Sequence, residues 1–197
     1  MVRVSSNLET RLGVDGGEAS TPSRQPCHVV GLDLSLTGSG IAFPSGHTQV
    51  VASKGSATAS LDDRAKRIGK LVEEILDVVE GTDLVVVEAP AFSRTQGSQH
   101  DRSGLWWLVV MGLHWSKVAV AEVAPTARAK YATGKGNAGK DEVIAAVVRR
   151  FPTFTGSNNN AADALVLCAM GLDHIGQPLV DMPALHREAL DKVRWPL

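Results

Sequence analysis

Three acidic residues at the ends of apolar stretches limit which folds this chain can form. Asp33 lies in HVVGLDLS, Glu88 follows LVVV, and Asp163 lies in NNNAADALVLCAM. An unpaired charge at the boundary of a core costs free energy, so each carboxylate needs a partner. A divalent cation is the simplest shared partner, because hard cations prefer oxygen ligands. The sequence therefore predicts a fold that brings the three acids together.

Composition sets the class of protein. The chain has 197 residues, is 44% hydrophobic and carries a net charge of −1, which is typical of one globular domain. A nearly neutral chain does not bind nucleic acid by bulk charge, so any DNA contact depends on local basic patches. Cys27 and Cys168 lack metal-ligand spacing and indicate a reducing compartment. No apolar run is long enough to span a bilayer, so we expect a cytoplasmic protein without membrane contact.

The chain divides into a domain and two tails. Residues 1–26 are rich in Ser, Gly, Pro and charge and are predicted to form a flexible tail. Residues 27–175 form the predicted domain, and residues 176–197 form a C-terminal tail.

Three short strands and a helix are predicted first in the domain. The strands are Val29–Leu34, Ile41–Phe43 and Gln49–Ser53, with a turn at 37–40 between the first two. Short turns between strands are typical of an antiparallel meander. Apolar residues at helical spacing then predict an amphipathic helix between Ser60 and Gly81.

A buried strand, Leu84–Val87, follows that helix. A helix between two buried strands implies a crossover, and therefore parallel strands. Asp33 and Glu88 should then leave the sheet at the same edge, where ligands bind in open α/β sheets.

The segment Leu105–Val118 is predicted to be a helix that is apolar on almost all sides. One buried face cannot satisfy such a helix. We expect a second copy of the chain to cover the other face, which makes the protein a homodimer. Coverage by the C-terminal tail is the alternative.

The remaining predicted elements are a strand at Val118–Val123 and helices at Lys140–Phe151 and Asn160–Leu172. The predicted fold is therefore α/β. Its mixed five-stranded sheet has an antiparallel meander followed by two parallel strands, with helices on both faces.

Four segments, in this order, resemble those of RuvC-like Holliday junction resolvases, which belong to the RNase H-like nuclease superfamily. They are GLDLSLTGSGIA, VVVEAPAF, VAPTARAKYATGKGNAGKDEV and NNNAADALVL. The resemblance covers roughly residues 28–172. It implies an RNase H-like fold and a crossover junction endodeoxyribonuclease that nicks four-way DNA junctions as a homodimer, leaving 5′-phosphate and 3′-hydroxyl ends.

The resemblance also implies site residues. Asp33, Glu88 and Asp163 match the metal-binding catalytic carboxylates, and Lys140 matches a basic catalytic position near the cleaved phosphate. Two Mg²⁺ ions per site, which Mn²⁺ can replace, would suit this chemistry. Asn160 stands where the family has Asp or His, so it is either a neutral metal ligand or a helix N-cap.

Residues expected to contact DNA surround these positions. Phe92 resembles the aromatic residue that inserts at the junction centre, although packing beside Pro90 is an alternative. The basic residues form the rest of this set: Arg94, Arg128, Lys130, Lys135 and Lys140. A solvated basic face is the alternative for this patch.

Three other functions compete with junction resolution. The first is a related nuclease that cuts flaps or RNA. The second is a protein that binds branched DNA without cutting it, for which Asn160 would be the sign of lost catalysis. An actin-like kinase is disfavoured, because that architecture needs two such domains.

Overall fold

Five strands form one mixed sheet in the part of the chain that the structure describes. The structure is a computed structural model that describes residues 27–56, 58–90, 98–154, 156 and 158–196. The strands are β1 (Val29–Asp33), β2 (Gly38–Ala42), β3 (Thr48–Ala52), β4 (Leu84–Glu88) and β5 (Ala119–Val123). Their order across the sheet is β3-β2-β1-β4-β5.

Six α-helices accompany the sheet within the described ranges. They are α1 (Leu61–Val78), α2 (Gln99–Trp115), α3 (Pro125–Thr133), α4 (Lys140–Arg150), α5 (Asn159–His174) and α6 (Ala184–Arg187). None of these helices has the length and apolarity needed to cross a lipid bilayer.

Strand pairing confirms the predicted sheet. β1 is antiparallel to β2, and β2 is antiparallel to β3. β1 is parallel to β4, and β4 is parallel to β5. The helix α1 connects β3 to β4, as the change in periodicity predicts. The α/β fold class is therefore confirmed.

The two faces of the sheet carry separate cores. Val30 and Leu32 of β1 point to the side covered by α1 and α2. Val29 packs on the opposite side with α3, α4, α5 and the C-terminal segment. Strand side chains alternate between faces, so one buried strand contributes to both cores. Helices on both faces explain why β1 and β4 are apolar throughout.

Helix α5 lies directly on the sheet because two strand residues have no side chain. A Cβ atom on Gly31 would overlap the carbonyl oxygen of Ala164, and one on Gly40 would overlap that of Asn160. Both glycines are therefore needed for close approach of backbone to backbone. The turn predicted at residues 37–40 is wrong, because Gly38–Ala42 forms strand β2.

Three helices differ clearly from the prediction. The short helix α6 lies within residues 176–197, which were expected to form a tail. Helix α2 begins at Gln99 and ends at Trp115, whereas Leu105–Val118 was expected. Its first turns are polar, and apolar periodicity cannot detect them. Helix α3 is absent from the prediction, because its buried face consists largely of alanines. Small side chains give little periodic signal.

The C-terminal segment, residues 177–196, packs beside α3 and α5 rather than over α2. Met182, Ala189 and Val193 are buried in the same core as those helices. His186 is also buried, and its Nδ1 atom lies 2.7 Å from the carbonyl oxygen of Tyr131 in α3. The alternative that this segment covers α2 is therefore wrong for the described residues. The boundary at residue 176 stays a prediction.

Candidate active site

Asp33 and Glu88 end neighbouring parallel strands. The register pairs Leu32 of β1 with Val87 of β4, so the next residue of each strand is an acid. Adjacent strands lie about 4.8 Å apart, which brings the two carboxylates to one edge of the sheet. The turn after Asp33 is fixed by Ser39, whose hydroxyl accepts from Ser35 N at 3.0 Å and donates to Ser35 O at 2.9 Å.

Asp163 reaches the same edge from α5. It directly precedes Ala164, whose backbone touches the sheet at Gly31. The Asp163 side chain is buried, with 6% of the residue exposed. The charge of Asp163 raises the pKa of both Asp33 and Glu88, as expected of neighbouring acids. The structure therefore assembles three acids that are 55 and 75 residues apart along the chain.

Arg128 of α3 lies among these acids. Its Nη1 atom donates to Asp163 Oδ1, and its Nε atom lies 2.6 Å from Glu88 Oε2. The contact with Glu88 lacks hydrogen-bond geometry, so both of its atoms are buried without a hydrogen-bond partner among the described residues. Arg128 itself is 8% exposed. The residue that was expected to contact DNA is therefore a buried counter-ion in this structure.

The acids are poorly solvated, and their pKa values reflect it. Burial, together with the charges of Glu88 and Asp163, raises the pKa of Asp33 from 3.8 to about 7, although Arg128 and Lys140 oppose the change. Burial also raises the pKa values of Glu88 and Asp163, although Arg128 opposes the change. Desolvation favours the uncharged carboxyl group. A cation at this site would offset that cost.

The raised pKa of Asp33 leads to a prediction about pH and stability. The folded protein holds this proton more tightly than the unfolded chain, so stability falls as pH rises from about 4 to 7. Asp33→Asn removes the charge, and we expect the variant to be more stable than the wild type above pH 7 by on the order of 1–4 kcal/mol. Thermal unfolding in a chelating buffer at pH 5, 6, 7 and 8 measures the difference. A difference that does not grow with pH would contradict the prediction.

A hydrogen bond from a tryptophan side chain holds the backbone of Glu88 in place. The Trp106 indole Nε1–H of α2 donates to the Glu88 carbonyl oxygen at 2.9 Å. From the sequence alone, Trp106 is predicted only to belong to an apolar helix. Indole groups in buried positions usually find an acceptor, which is the signal that could have indicated this role.

Asn160 is not the N-cap of α5. That position belongs to Asn158, whose side chain accepts from Ala161 N at 2.8 Å. The Asn160 amide nitrogen instead donates to the Gly38 carbonyl oxygen of β2. The N-cap interpretation of Asn160 is therefore wrong. Its role as a metal ligand stays a prediction.

Basic residues lie around the acids at different depths. Lys140 is exposed at the start of α4, and its charge lowers the pKa values of Asp33, Glu88 and Asp163. Lys135 is also exposed and lies on the glycine-rich loop between α3 and α4, 3.9 Å from Glu142. Such a loop can hold phosphate through lysines and free backbone amides.

The other predicted DNA contacts are placed differently. Lys130 is paired with Glu188 of the C-terminal segment at 2.6 Å. Phe92 and Arg94 lie outside the described residues, so their expected roles stay predictions.

Comparison with known proteins shows which solved structures have a similar fold. No protein-family model and no curated protein matches the chain. Two solved structures of Thermus thermophilus RuvC match the chain. The first is 20% identical with a TM-score of 0.59, and the match covers 79% of this chain and 99% of that one. The second was solved in complex with a Holliday junction substrate and is 19% identical with a TM-score of 0.58. Its match covers 80% of this chain and 100% of that one.

Proposed function

We propose that this protein is a metal-dependent endonuclease that resolves Holliday junctions, a crossover junction endodeoxyribonuclease. The observation that carries the proposal is the meeting of Asp33, Glu88 and Asp163 at the carboxyl edge of a RuvC-like sheet. A RuvC with the same fold is known in complex with a Holliday junction substrate. Hydrolysis would leave 5′-phosphate and 3′-hydroxyl ends.

The chemistry of the donor atoms fits a hard divalent cation. Three carboxylates supply anionic oxygens, and Glu88 Oε2 is a buried oxygen that pairs with Arg128 but makes no hydrogen bond within the described part of the chain. Mg²⁺ or Mn²⁺, as two ions per site, would activate a water and stabilise the leaving 3′ oxygen. Within the described ranges, however, no three acidic, His or Cys side chains are grouped closely enough to hold a metal ion. Arg128 occupies the space between two of the acids.

Positive charge beside the acids supports a phosphate substrate. Lys140 is exposed and close enough to influence all three carboxyl groups. We assign it to the cleaved phosphate, where an ammonium group would reduce repulsion between the acids and DNA. Lys135 on the same loop would hold a neighbouring phosphate.

The cleavage of two opposed strands in one junction requires two active sites, and α2 offers a surface for a second copy. Its exposed side chains form a stripe at helical spacing that would suit a homodimer. The stripe, which we call the α2 stripe, consists of Trp107 (58% exposed), Leu108 (43%), Met111 (41%) and Trp115 (70%). Contiguous apolar patches of this kind mark interaction sites.

Trp107→Glu is expected to convert a dimer into monomers. A charge at the centre of an apolar interface is left without a partner, which costs several kcal/mol. Sedimentation should show the mass of one 20.8 kDa chain for the variant and of two for the wild type. Leu185→Glu is the control, because Leu185 is 55% exposed but lies on α6. A dimer that survives Trp107→Glu would place the interface elsewhere.

The proposed activity is tested with a labelled synthetic four-way junction, with and without Mg²⁺. We expect paired cuts on opposed strands that require the metal. Flap, linear duplex and RNA substrates serve as controls, and cleavage of these in preference to the junction would indicate a different RNase H-like nuclease.

A branched-DNA-binding protein without nuclease activity is the second candidate. It is favoured by two observations: Arg128 fills the acidic cluster, and the Asn160 amide is bonded to Gly38. Junction binding without cleavage at any concentration of Mg²⁺ or Mn²⁺ would support it over the proposed enzyme.

A further inference from the structure

The guanidinium group of Arg128 occupies the oxygens that a cation would need. It contacts Glu88 Oε2 and Asp163 Oδ1, and only about a tenth of each of the three side chains is exposed. Arginine cannot lose its proton in a protein, so this charge is permanent. The pair therefore persists at every pH at which the acids are ionised.

Arg128 lies where a cation would have to bind the acids. Their donor chemistry fits a divalent cation, yet no metal-holding group of side chains is found among the described residues. One positive charge already lies between two of the three carboxylates. A cation that binds the same oxygens must displace it, because both cannot occupy one buried space.

We infer that Arg128 competes with the divalent cation for Glu88 and Asp163, and that it withdraws from them when the cation binds. The inference rests on the proposed metal site. A guanidinium that leaves two carboxylates needs a new anionic partner, and a DNA phosphate suits its planar donors. DNA and the cation should then strengthen each other's binding, since coupling between two ligands is reciprocal.

The test measures stabilisation by MgCl₂ alone. Thermal unfolding of the full chain is followed at increasing MgCl₂ for the wild type and Arg128→Gln. We expect the Mg²⁺ concentration at half-maximal stabilisation to fall at least about fivefold in Arg128→Gln, within the usual range of coupling between sites. An unchanged or higher midpoint would overturn the inference.

Two control variants separate competition from other effects. Lys140→Gln removes the same charge from a residue that acts on the same acids from an exposed position. If this Mg²⁺ concentration fell equally in Arg128→Gln and Lys140→Gln, Arg128 would act only through its charge. That result would overturn the inferred competition. Arg187→Gln removes an arginine that pairs with buried Asp173 at 2.9 Å, and it should lose stability without a change in the midpoint. Asp173 lies about 15 Å from Asp163 along α5, given a rise of about 1.5 Å per residue.

A second measurement needs no folded Gln variant. The Nε–H signal of Arg128 in the ¹⁵N NMR spectrum of the wild type should shift as MgCl₂ is added, whereas that of Arg187 should not. An Arg128 signal that stays constant while Mg²⁺ stabilises the protein would overturn the inference but leave the proposed metal site intact. A wild type that Mg²⁺ does not stabilise at all would overturn both.

Discussion

Asp33→Asn should abolish junction cleavage while junction binding is retained. The carboxylate ends β1 inside the acidic cluster, and an amide there cannot supply the anionic oxygen that a hard cation prefers. Loss of a residue that only orients a metal ligand typically lowers metal affinity or activity about 10–100-fold. We therefore expect loss of a ligand itself to lower the cleavage rate by more than about 100-fold. The rate of cleavage of a labelled junction and a gel-shift measurement of binding test the two halves of the prediction.

Glu122→Gln is the matched control for Asp33→Asn. Glu122 lies near the carboxyl end of β5 at the same edge of the sheet, but it is exposed. The Glu122→Gln variant should therefore cleave the junction at the wild-type rate. If Asp33→Asn lost binding and cleavage together, the carboxylate would belong to the DNA-binding surface or to the fold, and its assignment to catalysis would be wrong.

Gly31→Ala should prevent stable folding or lower stability severely. The added methyl group would overlap the backbone of Ala164 and Cys168, and backbone in a packed helix cannot move as a flexible side chain can. Overpacking typically costs about 1–3 kcal/mol, and we expect about 4 kcal/mol or more here because α5 would have to leave the sheet. The free energy of unfolding by denaturant measures the effect.

Gly69→Ala provides the comparison for Gly31→Ala. Gly69 lies inside α1, and a Cβ atom there would meet nothing within 4 Å. Alanine favours helix over glycine, so this variant should gain about 0.5–1 kcal/mol. If Gly31→Ala were about as stable as the wild type, the backbone of α5 would not lie in close contact with Gly31.

The strands and their acids could be predicted from the sequence because local physics determines them. Apolar runs such as Leu84–Val87 indicate burial on both faces, and the intervening amphipathic helix indicates a parallel pair. Those two facts place Asp33 and Glu88 at one edge without any knowledge of the remaining chain. The observed register of β1 and β4 agrees with that expectation.

Glycine was harder to interpret, because its absent side chain permits two different structures. The run at residues 37–40 predicted a turn, since glycine adopts turn conformations readily. In the structure Gly40 lies in β2, and the space beside it is filled by the backbone of α5. Only the position of a helix more than a hundred residues later reveals this second use.

Arg128 could not be placed from the sequence for a similar reason. Its neighbours in α3 are alanines, so nothing local distinguishes an arginine that faces solvent from one that faces buried acids. Its partner Asp163 is 35 residues away. Helix α3 was also not predicted, and without its axis the direction of the side chain cannot be derived.

The packing of the C-terminal segment against α3 has a consequence for the order in which the protein is completed. Glu188 pairs with Lys130, and His186 contacts Tyr131. Both contacts are with α3, the helix that carries Arg128. Both residues follow Arg128 and the three acids along the chain, so they leave the ribosome later, and chains fold as they are synthesised. Support for the helix therefore arrives after Arg128 and the acids have been synthesised, so a nascent chain holds its acidic residues before the arginine beside them is secured.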